Sequence, residues 1–161
     1  MKRKMWKLGY VYAIHLPNGK YAFARIMKDA TISVYSHQGN SVDDLPNDEN
    51  YIFYVAIYRY VIQSENWTKV EERPYENEED SWPPKQYNYD IGTGRYKIYY
   101  KGEFINSTKE ECKGLTRMSV WDEHHLIDKI MGDDKWDRLL DDEVERWEKK
   151  RLEKTQTQQI Q

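Results

Sequence analysis

The sequence predicts an α+β domain in which a curled or barrel-like antiparallel β-sheet is followed by C-terminal helices. Strand-like segments dominate the chain up to residue 105, and a helical period of three and four residues is clearest near the C-terminus. Fourteen tyrosines and six tryptophans favour a β-rich core. We expect residues 1–154 to form one domain and residues 155–161 a disordered tail.

The first element is a hairpin over Gly9–Met27, because Asn18-Gly19 lies between two apolar runs. Both faces of this hairpin carry apolar side chains, so we expect neither face to be freely solvated. A two-residue turn would pair Leu16 with Tyr21, Ile14 with Phe23, and Tyr12 with Arg25.

Further strands follow from alternating or β-branched runs separated by loop-forming residues. Residues 36–50 and 71–84 are rich in Pro, Asn or charged residues and are predicted as loops. The predicted strands are Thr31–Tyr35, a long central strand Tyr51–Ile62, Trp67–Val70, Gln86–Asp90, Arg95–Tyr100 and Phe104–Ile105, with a turn at Gly92–Gly94.

Three helices are expected in the last third of the chain. Thr108 with Glu111 forms a capping box for a short helix, and Asp122 can cap a second helix that Gly132 ends. Residues 133–154 form an acidic amphipathic helix, since apolar side chains recur at helical spacing. Its apolar stripe consists of Trp136, Leu139, Leu140, Val144 and Trp147.

The charge is unevenly distributed around a net value of −3. Residues 1–28 carry seven cations and no acid, whereas residues 76–80 and 133–145 are acidic. Acidic runs and negative net charge argue against nucleic acid as partner. We find no apolar leader and no apolar run long enough for a membrane span, and a single cysteine fits a reducing compartment. We therefore expect a cytoplasmic protein without a membrane partner.

No motif predicts a catalytic, cofactor-binding or metal-ligating residue. His124 and His125 are adjacent on a helix and do not match the spacing of zinc-binding histidines. Gly92–Gly94 is followed by a strand, not by the helix of a phosphate-binding loop. Cys112 fits a small buried residue. The many acids form no pair that spacing alone would place across a cleft, so spacing neither indicates nor excludes a general acid–base dyad.

Two segments together resemble the bacterial immunity protein 26 family. The first is Gly9–Met27, and the second runs from Gln86 to Ile130. In the second segment, a strand pair around a Gly-rich turn precedes an E-C-x-G-L segment and a V-W-x-x-x-H helix start. The matching positions here are Glu111, Cys112, Gly114, Leu115, Val120, Trp121 and His125.

The resemblance implies a non-catalytic immunity protein of a bacterial polymorphic toxin system, which neutralises a cognate toxin domain by binding it. Our hypothesis for the mechanism is that the chain occludes the toxin's active site. The clustered acids are the candidate partner-binding residues: Glu76, Glu78, Glu79, Asp80, Asp133, Asp134, Asp137, Asp141 and Asp142. The alternative function is a small β-barrel module that binds a small molecule or nucleic acid. The toxin's identity and the oligomeric state stay open.

Overall fold

A computed structural model describes residues 2–160 and confirms the α+β fold class. Within that range, ten strands form two open sheets and two α-helices follow the last strand. The chain divides into two compact units. The N-terminal unit comprises the residues up to Pro84 with Ser119–Ile130, and the C-terminal unit comprises Lys85–Met118 with the residues from Met131 onward. The expectation of one domain over residues 1–154 stays a prediction.

Most of the predicted elements are present close to their predicted positions. In chain order they are β1 (Tyr10–His15), β2 (Tyr21–Ile26), β3 (Thr31–Tyr35), β4 (Tyr51–Ile57), β5 (Trp67–Glu72), β6 (Gln86–Tyr89), β7 (Tyr96–Tyr100), β8 (Glu103–Ser107), β9 (Thr116–Arg117), β10 (Val120–Trp121), α1 (Glu123–Ile130) and α2 (Lys135–Ile160). Short 3₁₀ turns form at Arg59–Gln63 and Glu78–Ser81.

The first hairpin forms, but its predicted register is wrong by one residue. Tyr12 lies opposite Ala24 instead of Arg25, so the loop contains three residues and each predicted pair is displaced. Pro17 suits the second position of a turn, and Gly19, with a φ of 84°, donates its amide to the carbonyl three residues earlier. The loop is therefore a three-residue turn with a glycine bulge, which Asn-Gly alone did not indicate.

Both faces of this hairpin are buried, which confirms that neither is freely solvated. Val42 and Leu45, from the loop at residues 36–50, pack against one face. The opposite face carries the small side chains Ala22 and Ala24, and it is also fully buried. The first of these faces contributes to an apolar cluster of Val11, Ala13, Phe23 and Tyr35.

The long central strand predicted for Tyr51–Ile62 is wrong in its second half. β4 ends at Ile57, and the chain then forms the 3₁₀ turn Arg59–Gln63 with two buried aliphatic side chains. The strand order is β10-β4-β3-β2-β1-β5, so β4 lies next to the edge. β3 begins at Thr31, which lies opposite Ala56. β3 therefore has no residue that could pair with the chain after the end of β4. A continuous apolar run does not reveal where such pairing stops.

The sheet of the C-terminal unit has the order β8-β7-β6-β9. The helix predicted after Ser107 is reduced to one capped turn. The Thr108 hydroxyl accepts the Glu111 amide at 3.2 Å, as a capping residue does, and the Cys112 amide donates to the Thr108 carbonyl. The chain then enters β9 at Thr116, beside β6, so the helix does not continue.

The other two helices form where predicted. The Asp122 carboxylate accepts the first amide of α1, and Gly132, with a φ of 93°, follows its end. α2 continues to Ile160, beyond residue 154, where the disordered tail was expected. On its predicted stripe Val144 is buried, but Leu139 is 55% exposed. No described helix is both long and apolar enough to cross a membrane.

Candidate functional site

The acidic loop, defined as residues 73–84 between β5 and β6, is attached at its start to β2. Arg25 of β2 is 8% exposed, and its guanidinium donates to the carbonyl oxygens of Arg73, at 3.0 Å from Nε, and Pro74, at 3.2 Å from Nη2. The Tyr75 ring centroid lies 3.8 Å from Arg25 Cζ. The Tyr75 hydroxyl donates to the Ile26 carbonyl at 3.0 Å. A buried cation thus fixes the first three residues of the loop.

A glycine allows the loop to approach the first hairpin closely. The Arg73 amide donates to the Gly9 carbonyl at 2.7 Å, and Gly9 has a φ of 83°. A Cβ added at Gly9 would lie 2.6 Å from the Arg73 carbonyl oxygen. Both the backbone conformation and the space therefore require glycine here.

Beside this attachment lies a polar cluster, defined as Arg25, Tyr35, Glu49, Tyr51 and Arg73. The Glu49 carboxylate accepts hydrogen bonds from Tyr35 (2.7 Å), Tyr51 (2.5 Å), Arg73 (2.8 Å) and Arg25 (3.4 Å). Arg73 also donates to the Pro46 carbonyl at 2.6 Å. The cluster therefore connects the loop at residues 36–50 with the start of the acidic loop.

The protonation states of the polar cluster favour a fixed hydrogen-bond network that holds the start of the acidic loop. Burial alone would raise the pKa of Glu49, but the hydrogen bonds from Tyr51, Tyr35 and Arg73 outweigh it and lower the pKa. Burial and the nearby carboxylate raise the pKa of Tyr35 and Tyr51, so both stay protonated donors. At neutral pH the carboxylate is ionised and the protons stay in place.

Lys28 holds the other end of the acidic loop. Its amide donates to the Ser81 carbonyl at 2.9 Å, and its ammonium lies 2.6 Å from Glu78 Oε1 and 4.5 Å from the Trp82 ring centroid. The Ser81 hydroxyl donates to the Glu78 carbonyl at 2.5 Å, which closes the 3₁₀ turn. Glu78, Glu79 and Asp80 are exposed on this turn, and Glu76 is exposed two residues before it.

The predicted acids of α2 lie in the C-terminal unit and interact mainly with their own helix. Asp133 accepts the Lys135 amide at 3.0 Å, and Asp134 pairs with Arg138 at 3.0 Å. Asp141 accepts the Tyr87 hydroxyl at 3.3 Å. Two more predicted acids, Asp137 and Asp142, are half-buried and exposed, respectively. The nine predicted residues therefore form two groups, one in each unit.

An open cleft of about 620 Å³ lies in the C-terminal unit and includes Asp141 in its lining. Burial, followed by the Asp141 charge, raises the pKa of Tyr87 to about 12. Glu148 accepts hydrogen bonds from the Tyr96 hydroxyl and, at 2.8 Å, from the Lys109 ammonium. Cys112 is buried in the adjoining apolar cluster, as predicted. These groups join α2 to the sheet.

The two adjacent histidines lie at the start of α1. Their ring centroids are 3.8 Å apart, closer than their positions on a helix suggest. His125 Nδ1 accepts the Asp122 amide at 3.1 Å, and burial together with His124 lowers the pKa of His125. Across residues 2–160, no group of three or more His, Cys, Asp or Glu side chains is arranged to hold a metal ion.

Sequence reasoning missed the polar cluster and the two residues that hold the loop, Arg25 in β2 and Lys28 just after β2. A signal was present, since Arg25 stands within the apolar strand YAFARI, and a charge in a buried strand is rarely without partners. Its partners at residues 73 and 74 are 48 and 49 positions away, so spacing could not identify them.

Comparison with known protein families identifies the family of this chain. The sequence model of the immunity protein 26 family matches residues 7–97, which is more than half of the 161 residues. The chain therefore belongs to the immunity protein 26 family. No curated protein and no solved structure gives a significant match.

The family match covers only part of the resemblance. It includes the first hairpin and the acidic loop, and it ends within β7. The Glu111–His125 segment, which carries the second part of the resemblance, lies outside the matched range and stays a prediction. The acids of α2 lie outside that range too.

Proposed function

We propose that this chain is the immunity component of a bacterial polymorphic toxin system. It binds one cognate toxin in the cytoplasm of the producing cell and neutralises it without catalysing a reaction, by covering the toxin's active site. The observation that carries this proposal is membership of the immunity protein 26 family. The proposal rests on that membership and not on any chemistry within the chain.

The main contact surface is the acidic loop. Four exposed carboxylates lie within five residues, Glu76–Asp80, on a segment that Arg25 attaches to β2 and Lys28 attaches to the residues just after β2. A loop held in one shape loses little conformational entropy when it binds. The loop also lies inside the range shared with the family, which supports its choice over α2.

The acids of α2 form a second candidate surface. Asp133 and Asp134 lie just before α2, and Asp137, Asp141 and Asp142 lie in its first turns, so five acids cluster at this end of the helix. Several of these carboxylates already cap the helix or pair with its cations. These acids therefore contribute mainly a long-range negative electrostatic potential, because several of their carboxylates are already engaged in hydrogen bonds or ion pairs.

Neutralisation follows from charge and shape. A toxin that acts on nucleic acid needs a basic cleft, and the carboxylates of a fixed loop can occupy such a cleft in place of phosphates. Opposite charges accelerate the encounter, and the fit of the loop then slows dissociation. The same surface would attract toxins with basic active sites of other kinds.

The experiment is protection in cells. The toxin domain encoded beside this chain is expressed from an inducible promoter, with and without this chain. We expect the wild-type chain to restore growth and to co-purify with the toxin domain. A triple variant Glu76→Lys, Glu79→Lys and Asp80→Lys should protect less at matched expression. Full toxicity in the presence of folded wild-type chain would refute the proposal.

A further inference from the structure

A cleft of about 300 Å³ lies at the N-terminal end of the chain, in the same compact unit as the acidic loop. Its lining includes three cations, Arg3, Lys4 and Arg59, together with the Trp6 indole. No carboxylate contributes to this lining. A small concave surface with one sign of charge and an aromatic wall has the composition of a site for an anionic group.

The N-terminal segment is fixed in place, so the cleft has a defined shape. The Lys4 amide donates to Gln63 Oε1 at 2.9 Å, and Gln63 Nε2 donates back to the Lys4 carbonyl at 2.7 Å. The Lys4 ammonium donates to the Ser64 carbonyl at 2.6 Å. One residue on, the Met5 carbonyl accepts the Tyr12 hydroxyl at 2.6 Å. These bonds attach residues 4 and 5 to the 3₁₀ turn and to β1.

The cations of the cleft differ in how they are used. Lys4 already donates to a carbonyl, and Glu65 and Glu123 lie near enough to act on its charge. Arg59 is exposed, and its guanidinium carbon lies 5.6 Å from the Trp6 ring centroid. Among the residues that the structure describes, no carboxylate forms an ion pair with Arg3 or Arg59. A guanidinium beside an indole can bind a carboxylate through two parallel hydrogen bonds.

We propose that this basic cleft binds an acidic side chain presented by a protein partner. A carboxylate would pair with Arg59 and Arg3, and its aliphatic stem would pack on Trp6. The partner is a protein and not a nucleic acid, because the acidic loop of the same unit and the net charge of −3 oppose a polyanionic backbone. The identification of that protein as the toxin rests on the proposed function, and the toxin would then contribute an acid here as well as a basic cleft for the loop.

The first test does not need the toxin. Hexaglutamate is titrated into ¹⁵N-labelled full-length chain, and the indole N–H resonance of Trp6, assigned with Trp6→Phe, is followed. The matched variants are Arg59→Glu in the cleft and Lys20→Glu in the exposed hairpin turn, which change the net charge equally. We expect the Trp6 resonance to shift in wild type and Lys20→Glu and to stay in place in Arg59→Glu.

Two outcomes of this titration would overturn the inference. The first is an unchanged Trp6 resonance in wild type at millimolar hexaglutamate. The second is a shift produced by hexathymidylate at the same cleft, with no response to hexaglutamate, which would assign the site to nucleic acid. Both outcomes are read on the wild-type chain, so they do not depend on whether a variant folds.

The second test uses the purified toxin domain and separates this inference from the proposed function. We expect Arg59→Glu to weaken toxin binding by about tenfold and Lys20→Glu to leave it unchanged. Equal binding by wild type and both variants would contradict the assignment of the cleft to the toxin and leave toxin neutralisation intact. No binding by wild type would contradict the proposed function, while the hexaglutamate titration would still decide the chemistry of the cleft.

Discussion

The acidic loop and the acidic half of α2 carry similar charge but differ in what holds that charge in place. α2 fixes its acids through its own backbone hydrogen bonds, and Lys135 and Arg138 from the same helix pair with them. The loop depends on groups outside itself, above all on the Arg25 side chain of β2 at its start, and at its other end on the Lys28 amide and ammonium just after β2. One substitution can therefore release the loop, whereas none of comparable size would release the helix.

The largest expected effect comes from removing Arg25. Arg25→Ala leaves the Arg73 and Pro74 carbonyls and part of Glu49 without their buried donor. We expect the free energy of unfolding to fall by about 3 kcal/mol. Urea unfolding measures this change, and hydrogen exchange should show faster exchange in residues 73–84.

The control for this prediction is Arg95→Ala, which removes an exposed arginine from the other unit. It should change the free energy of unfolding by less than about 0.5 kcal/mol. If Arg25→Ala lowered the free energy of unfolding as little as this control does, the hydrogen bonds of Arg25 would not hold the loop.

The second prediction compares the two acidic surfaces directly. The loop variant Glu76→Lys, Glu79→Lys, Asp80→Lys and the helix variant Asp134→Lys, Asp137→Lys, Asp142→Lys each change the net charge by the same amount. At low salt we expect the loop variant to associate with the toxin domain about tenfold more slowly, and the helix variant to be slowed less. Stopped-flow kinetics at two ionic strengths measures both. If the helix variant associated more slowly than the loop variant, the contact surface would be assigned to α2.

The third prediction concerns acid pH. Because the hydrogen bonds lower the folded-state pKa of Glu49 below its unfolded value, its contribution to stability is present above the unfolded pKa and is lost as the pH falls through the folded pKa. Glu49→Gln should therefore flatten the decrease in the free energy of unfolding below about pH 5. Glu103→Gln, an exposed glutamate on β8, is the matched control. An identical acid slope in wild type and Glu49→Gln would contradict this account.

The smallest effect is expected for Lys28→Gln. This change removes the ion pair with Glu78 but retains the hydrogen bond from the Lys28 amide to the Ser81 carbonyl. The Glu78 side chain is 78% exposed, so the pair contributes less than about 1 kcal/mol to the free energy of unfolding. Thermal or urea unfolding checks this value. A loss as large as that of Arg25→Ala would mean that the ammonium, and not the backbone, fixes the end of the loop.

The sequence revealed the charges of both regions because charge is a local property of the chain. It also revealed most strands and both final helices, since period and caps act over a few residues. The register of the first hairpin was missed because Pro17 lengthened the turn by one residue. The end of β4 was missed because it depends on where β3 begins. The hydrogen bonds from Arg25 to the acidic loop were missed because their acceptors lie on a segment distant in sequence. Local signals thus predicted the charge and most of the secondary structure. Long-range contacts, which the sequence does not show, decide the register, the strand ends and the attachment of the acidic loop.

The central claim is that a fixed acidic loop is the surface that meets the toxin. Hydrogen exchange of the chain, measured free and in complex with the toxin domain that it neutralises in the protection experiment, tests this claim most directly. We predict that binding slows exchange in residues 75–82 and leaves residues 135–145 of α2 unchanged. Protection confined to α2, or a stable complex with no protection in residues 75–82, would contradict the claim.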